Sequence, residues 1–325
     1  MIAAAHFWLL LPALVLDWLV GDPDWLWRRV PHPVAMVGTV IGALDRWLNR
    51  AAFAASVRAA LGVVTILVVA GIAALLGFVI ETALWALPFG WIITIVLAAI
   101  LLAARSLYDH VGAVADAFIY EDIETARTAV SRIVGRDPAS LDEARICRAA
   151  IESTAENFSD GVVAPALWFA LLGLPGLFAY KTINTADSMI GHLTEHHRVF
   201  GWAAARLDDI VNVPASRLAG FLVALAAPVV GGSIGQSLGV MARDAGRHRS
   251  PNAGWPEAAM AAALGLALAG PRRYGGVIVG DPFLNESGRR EARPDDIRNA
   301  LRVYGLANVW LFVLVAVVSL LLWWV

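Results

Sequence analysis

"GVVAPALWFALLGLPGLFAY", residues 161–180, is apolar and long enough to cross a bilayer, yet Pro165 and the "GLPG" at 173–176 interrupt it. A crossing helix takes roughly 20 apolar residues. Proline removes a ladder hydrogen bond and glycine loosens the backbone, so such a run has a reason to bend at its centre. A second run, 218–241, is interrupted in the same way by "GGSIG" at 231–235. Whether these two runs cross or bend decides the topology.

Outward from them the reading is simpler. Residues 2–20, 59–87, 91–104 and 304–325 are apolar runs, the second and third joined at "LPFG" (87–90). Residues 258–270 are too few to span and read as a buried or surface helix. Arginines crowd 21–58, 105–160 and 243–303, while the turn at 81–90 has none. The positive-inside rule puts those three segments in the cytoplasm. It follows that 161–180 and 218–241 both cross, or neither does. The spacing in "EDIETARTAVSRIVG" (121–135) and "SLDEARICRAAIESTAENF" (140–158) predicts soluble amphipathic helices, the first ending at Gly135 before Asp137-Pro138. The expected fold is all-α: a polytopic integral membrane protein with broken or re-entrant segments and a cytoplasmic helical insertion. It is read as one membrane-embedded domain, 1–325, with cytoplasmic helices over 105–160 and a cytoplasmic loop region over 243–303.

Composition agrees. The 325 residues are 59% hydrophobic and 16% charged, against about 45–50% and 25% in soluble domains. Net charge is −2, with no basic excess to bind nucleic acid. The single Cys147 forms no intrachain disulfide and reads as a small buried apolar residue. The thirteen Trp residues fit interfacial anchoring, among them Trp18, Trp25, Trp27, Trp323 and Trp324.

Several polar stretches can carry chemistry. In "ESTAENFSDG" (152–161), Glu152, Glu156 and Asp160 recur every four residues and share a helix face. Like charges there repel. A divalent cation would turn that liability into a site, and a solvated acidic face is the plain alternative. "KTINTADS" holds Lys181, the only lysine among 25 Lys+Arg. Arginine snorkels as well as lysine, so a compact ammonium kept here points to phosphate. On a helix Lys181, Asn184 and Ser188 share a face, and Asp187 neighbours Asn184. "FGWAAARLDDIVNVP" (200–214) carries Arg206, Asp208, Asp209 and Asn212. Arg206 and Asp209 form either a helix pair or part of a site for a carboxylate, phosphate, amine or metal. Arg243, Arg247, His248 and Arg249 read as an anion cradle or as a topogenic basic loop, with a turn at Ser250-Pro251-Asn252. "HLTEH" (192–196) matches an inverted zinc-protease pattern, with His192 and His196 as ligands and Glu195 as base. So short a pattern recurs by chance, and no third ligand is identifiable. A P-loop is excluded because Pro175 and Tyr180 stand where its glycines belong, and no GxGxxG occurs.

Taken together, "LVGDP" with "PHPV", "AIESTAENFSDGVVAP", "GLPGLFAYKTINTADSMIG", "FGWAAARLDDIVNVPASRL" and "RDAGRHRSPNAGWPEAAMAAALG" resemble the adenosylcobinamide-phosphate synthases of cobalamin (vitamin B12) biosynthesis, the CobD/CbiB family. The matching stretches run from residue 20 to about 265. The resemblance implies a multi-pass enzyme of the cell inner membrane. Such an enzyme is an amide-forming ligase that joins the corrinoid adenosylcobyric acid to aminopropanol or its O-phosphate with ATP and Mg²⁺. Its surroundings would be membrane lipid and other cobalamin-assembly membrane enzymes. On the matching positions, the chemistry assigns Glu152, Glu156 and Asp160 to Mg²⁺ with Asn157 nearby. Lys181 goes to phosphate charge, and Asn184 and Asp187 complete the metal shell. Asp208 or Asp209 binds or deprotonates the ammonium. Arg206, Arg243, His248 and Arg249 receive the phosphate or corrin side chains. Because ATP is cytoplasmic, 161–180 and 218–241 are then expected to dip, bringing the acidic and lysine motifs to one pocket. An intramembrane prenyltransferase, or a sensor or transporter on the same scaffold, are the competing readings.

Overall fold

The computed structural model describes residues 2–134, 141–192, 194–274 and 277–324. Gly135, Asp137 and Pro138, the predicted helix stop, lie outside them. Fourteen α-helices are described. Singly or joined end to end they make five helical runs long and apolar enough to cross a membrane, Ala55–Trp85, Gly90–Tyr120, Glu143–Ile190, Val213–Val230 and Pro294–Trp323, and residues 5–20 form a shorter apolar helix. The protein is an all-α, polytopic membrane protein. Residues 268–284 add two short antiparallel ladders, Leu268–Ala269 with Phe283–Leu284 and Arg272–Tyr274 with Val277–Val279. The sequence reading did not anticipate these ladders. The helices divide into two units.

The first unit holds residues 1–103, 164–212 and 315–325. Its helices are α1 (Ile2–Val20), α2 (Asp24–Trp27), α3 (Pro33–Leu48), α4 (Ala55–Trp85), α5 (Gly90–Leu101), α9 (Ala164–Ile190) and α10 (Trp202–Val211). On α4 the buried positions are 62, 65, 66, 70, 77, 81 and 84, one stripe at helical spacing and rich in small residues. The rest of its surface exposes Leu67, Val68, Ile72, Leu75, Phe78 and Val79, which belong in lipid.

Helix α9 runs along that stripe. It is not straight: Gly173 has φ 67° and ψ −152°, and the chain folds back there. Trp168 Nε1 donates to the Val211 carbonyl at 3.1 Å, and Tyr180 Oη donates to Asn212 at 2.9 Å. On a straight helix Trp168 and Tyr180 would stand roughly 18 Å apart; here they reach consecutive residues of one chain end. The run 161–180 therefore folds back on itself. The bend is at Gly173, with Pro175 in the first turn of the returning limb, where a missing N–H costs little; Pro165 only begins the helix. A side chain at Gly173 would stand 2.5 Å from the Glu81 carboxylate and 2.6 Å from His6 Nε2.

The second unit holds residues 104–163 and 213–314. It contains α6 (Ala104–Tyr120), α7 (Ile123–Ser131), α8 (Glu143–Asn157), α11 (Val213–Ala226), α12 (Ile234–Asp244), α13 (Gly254–Leu264) and most of α14 (Pro294–Trp323). The predicted helical segment 105–160 is α6 to α8, capped by Asp122 and Asp142, each accepting from the backbone N–H three residues on. Cys147 is buried in α8. α13 is a buried helix, with α11 and α12 against it. α11 and α12 are the run 218–241, folded at a 3₁₀ turn (Ala227–Val230) and Gly231, φ 80°. Gly220 on α11 lies against Met241 on α12, whose Sδ is 2.7 Å from where a Cβ would stand. On one continuous helix they would be roughly 31 Å apart. This run also folds back. α14 begins at Pro294, ten residues ahead of the predicted span.

Candidate functional site

In the first unit, the returning limb of α9 and helix α10 bring the lysine motif and "ARLDDIVN" together. Asn184 Nδ2 donates to Asp208 Oδ1 at 3.3 Å, Asn212 Nδ2 to Asp208 Oδ2 at 2.9 Å, and Tyr180 Oη to Asn212 Oδ1 at 2.9 Å. Asn212, Tyr180 and Asp208 are 0%, 2% and 8% exposed. Burial raises the Asp208 carboxyl to about 7; the Asp187 and Asp209 charges add to it, and the Asn184 and Asn212 hydrogen bonds oppose it. So Asp187, Asp208 and Asp209 form an acidic group around the buried Asp208 carboxyl. Arg206 pairs with Asp209 at 3.0 Å, as the i, i+3 spacing allows. Glycine permits the close approach of the loop that joins the two helices: a Cβ on Gly201 would overlap the Ile190 carbonyl, at 1.6 Å.

Lys181 is half-buried, one turn before Asn184. It lines a cavity of about 210 Å³ with Pro33, Val34, Met36, Phe178 and Thr185. Pro33 and Val34 belong to "PHPV", so a motif without an assigned role joins the lysine motif here. His32 caps α3, its Nδ1 accepting from Val34 N at 3.2 Å, and its Nε2 lies 3.6 Å from Asp22 of "GDP". Tyr180 entered the sequence reading only as a residue that excludes a P-loop, because a tyrosine ending an apolar run looks like core. Its position just before Lys181 was the available signal.

Among the described residues of "HLTEH", His192 and Thr194 are bends and a turn runs over 195–201, so His192 and His196 do not share a helix face. Among the described residues, the one group of three His, Cys, Asp or Glu donors within 4.8 Å is Asp45, His196 and His197. Neither Glu195 nor the trio Glu152, Glu156 and Asp160 forms such a group.

In the second unit, Glu152 is buried and its Oε1 accepts from Ala269 N at 2.8 Å. Glu156 is exposed, and Asp160 half-buried. The predicted uninterrupted α-helical face ends at Asn157, because Phe158–Val163 winds as a π-helical turn. Asn157 Nδ2 turns back to Ser153, 3.0 Å from both its carbonyl and its hydroxyl. Arg243 grips Asp244 with two hydrogen bonds of 2.8 and 2.7 Å. Arg247 lies 3.4 Å from the same carboxylate, which also accepts from Asn285 N at 2.9 Å. Asp244 therefore already answers two cations of the expected cradle. Both line an open depression of about 400 Å³ with Glu286 and Ser287. His248 Nε2 is 3.6 Å from Glu257, and Arg249 is exposed. The predicted turn forms, with Ser250 Oγ accepting from Asn252 N and Ala253 N.

The sequence matches the CobD/Cbib protein family over residues 10–304. It is 54% identical over 301 residues to a cobalamin biosynthesis protein CobD of Sinorhizobium sp, covering 91% of this chain and 93% of that one. It is 50% identical to one of Rhizobium meliloti over 95% of both chains. It is 45% identical to one of Rhodobacter capsulatus, over 95% of this chain and 96% of that one. No solved structure matches. Every motif quoted above lies inside the matched region, and the chain belongs to the CobD/CbiB family of cobalamin biosynthesis.

Proposed function

We propose that the chain is a multi-pass ligase of the cell inner membrane. It joins the free carboxylate of adenosylcobyric acid to the amine of aminopropanol, or of its O-phosphate, at the expense of ATP. The family supports the pathway, and the residues support the reaction class. A carboxylate and an amine do not condense unaided; the carboxylate oxygen must be made a leaving group, most simply by phosphorylation. The protein must then neutralise phosphoryl charge and hold the amine.

The observation that carries the reading is the Tyr180–Asn212–Asp208–Asn184 network, one turn from the only lysine. Lys181 offers a compact cation to phosphate at the edge of an apolar cavity. Asp208 and Asp209 hold the incoming ammonium, and Asp208 is fixed for that by two amide donors. Asp187 and Asn184 are hard oxygen donors beside a carboxylate that burial disfavours when charged, so this group fits Mg²⁺. In the second unit, Glu156 and Asp160 are also hard donors. Mg²⁺ held by these donors would offset phosphate charge. Arg206 and Arg249 are exposed and would meet anionic substrate groups, Arg206 by leaving its pair with Asp209.

The test is ATP-dependent amide formation by purified protein, with and without the aminopropanol compound. Amide that forms only with ATP and amine supports the reading. Consumption of a prenyl diphosphate without ATP would replace it with a prenyltransferase. Lys181→Arg keeps the charge but not its compactness; wild-type turnover in that variant would remove Lys181 from the chemistry.

A further inference from the structure

We propose that Asp45, His196 and His197 form a site for a borderline divalent cation of the Zn²⁺ class, which clamps the α9–α10 connection to the end of α3. The proposal does not depend on the ligase reading. Asp45 lies on the last turn of α3, and the two histidines lie in the turn region after α9. His197 Nε2 is 3.2 Å and His196 Nε2 is 3.6 Å from Asp45 Oδ2. Tetrahedral Zn²⁺ with bonds near 2.1 Å sets its donors about 3.4 Å apart; the two histidine–carboxylate distances bracket that value, and all three donor atoms lie within 4.8 Å of one another.

The surrounding residues hold the donors in that pose. Asn49 Nδ2 donates to Asp45 Oδ1 at 2.8 Å, leaving Oδ2 for the histidines. The same amide nitrogen donates to the His196 carbonyl at 3.1 Å, and Arg58 donates to that carbonyl as well. Thr194 Oγ1 lies 3.2 Å from His197 Nδ1. A proton on Nδ1 directed to that hydroxyl leaves the Nε2 lone pair toward Asp45, the outer-shell arrangement that orients metal-bound imidazoles. Two nitrogens and one oxygen suit Zn²⁺ over Mg²⁺. His196 is exposed, so a fourth position is open to water.

The experiment uses full-length protein without a histidine tag, stripped with chelator and titrated with Zn²⁺. Bound metal is counted after gel filtration, and Co²⁺ serves as a spectroscopic substitute. The expected result is one Zn²⁺ per chain, undiminished by excess Mg²⁺ and unchanged in His192→Ala and Glu195→Gln. His197→Ala and Asp45→Asn should weaken binding by about 100-fold or more, and Thr194→Val by about 10-fold. Should Asp45→Asn fail to fold, His196→Gln tests the same donor set. The proposal is overturned if the wild type retains no Zn²⁺, if Mg²⁺ displaces it, or if His192→Ala removes it as fully as His197→Ala does.

Discussion

The Trp168 carbonyl oxygen lies 2.5 Å from where a side chain on Gly176 would begin. Eight residues along a straight helix would place them roughly 12 Å apart. Their proximity is the signature of the bend at Gly173, and it makes Gly176 a position where any Cβ must displace backbone. Gly176→Ala is expected to cost about 1–3 kcal/mol, the usual penalty of overpacking. Gly71→Ala, on the open side of α4 with nothing within 4 Å, should be neutral or slightly stabilising, since alanine is the better helix former. Thermal unfolding in detergent of the two variants decides it. Equal midpoints would argue against the folded-back limb.

The bend also fixes a side for the α9–α10 connection. Along α4, the Gly77 position meets the Leu174 carbonyl and the Gly62 position meets that of Phe200. Residue 200 therefore sits toward the N-terminal end of α4, opposite the 87–89 turn. Cysteine introduced as Phe89→Cys should react with a membrane-impermeant reagent in intact cells. Glu195→Cys should react only after permeabilisation. Cys147 is buried and gives little background. Labelling of Glu195→Cys from outside would contradict both the dip and a cytoplasmic ATP site.

How much of this could be read beforehand depends on range. The apolar runs, the breaks at "GLPG" and "GGSIG" and the cap residues Asp122 and Asp142 are local properties, and the sequence displays them. That Gly173 rather than Pro165 bends the chain depends on Glu81 and His6, about ninety and more residues away, whose side chains occupy the space a Cβ would need. The Arg206–Asp209 pair was legible as i, i+3. Asp45 as partner of His196 and His197 was not, because a carboxylate on one helix and a turn some 150 residues later meet only through packing. Asp244, which answers Arg243 and Arg247, stood in plain view inside the quoted basic loop. The reading counted charges of one sign and passed over their neighbour.

Asp208→Asn separates function from stability. The change removes a carboxylate that burial and the Asp187 and Asp209 charges disfavour, and it keeps its shape. The new amide oxygen still accepts from Asn212, whose orientation Tyr180 fixes, and Asn184 flips its amide to accept from the new NH2. The variant is expected to unfold at the same temperature or higher, with ligase turnover reduced by about 100-fold or more, the scale of losing a positioned electrostatic group. Such opposition of stability and activity is common where a site stores unfavourable charge. Turnover near wild type would remove Asp208 from the reaction, whatever the unfolding temperature.

Asp244 supplies the pH dependence of the second unit. Hydrogen bonds from Arg243, helped by Asn285 N and by the Arg243 and Arg247 charges, hold its carboxyl below the ordinary 3.8 despite burial. An acid whose folded pKa is depressed stabilises the fold above its unfolded pKa. That contribution is lost as pH falls through the lower folded value, since the unfolded chain takes up the proton first. Wild-type protein should therefore lose unfolding temperature progressively below about pH 4. Asp244→Asn should start lower at neutral pH, because Arg243 and Asn285 N lose a charged acceptor. It should fall less steeply on acidification, so that the two curves converge. Parallel curves would mean that Asp244 titrates alike in the folded and unfolded chain, and that the two arginines beside it do not act as its counter-charge.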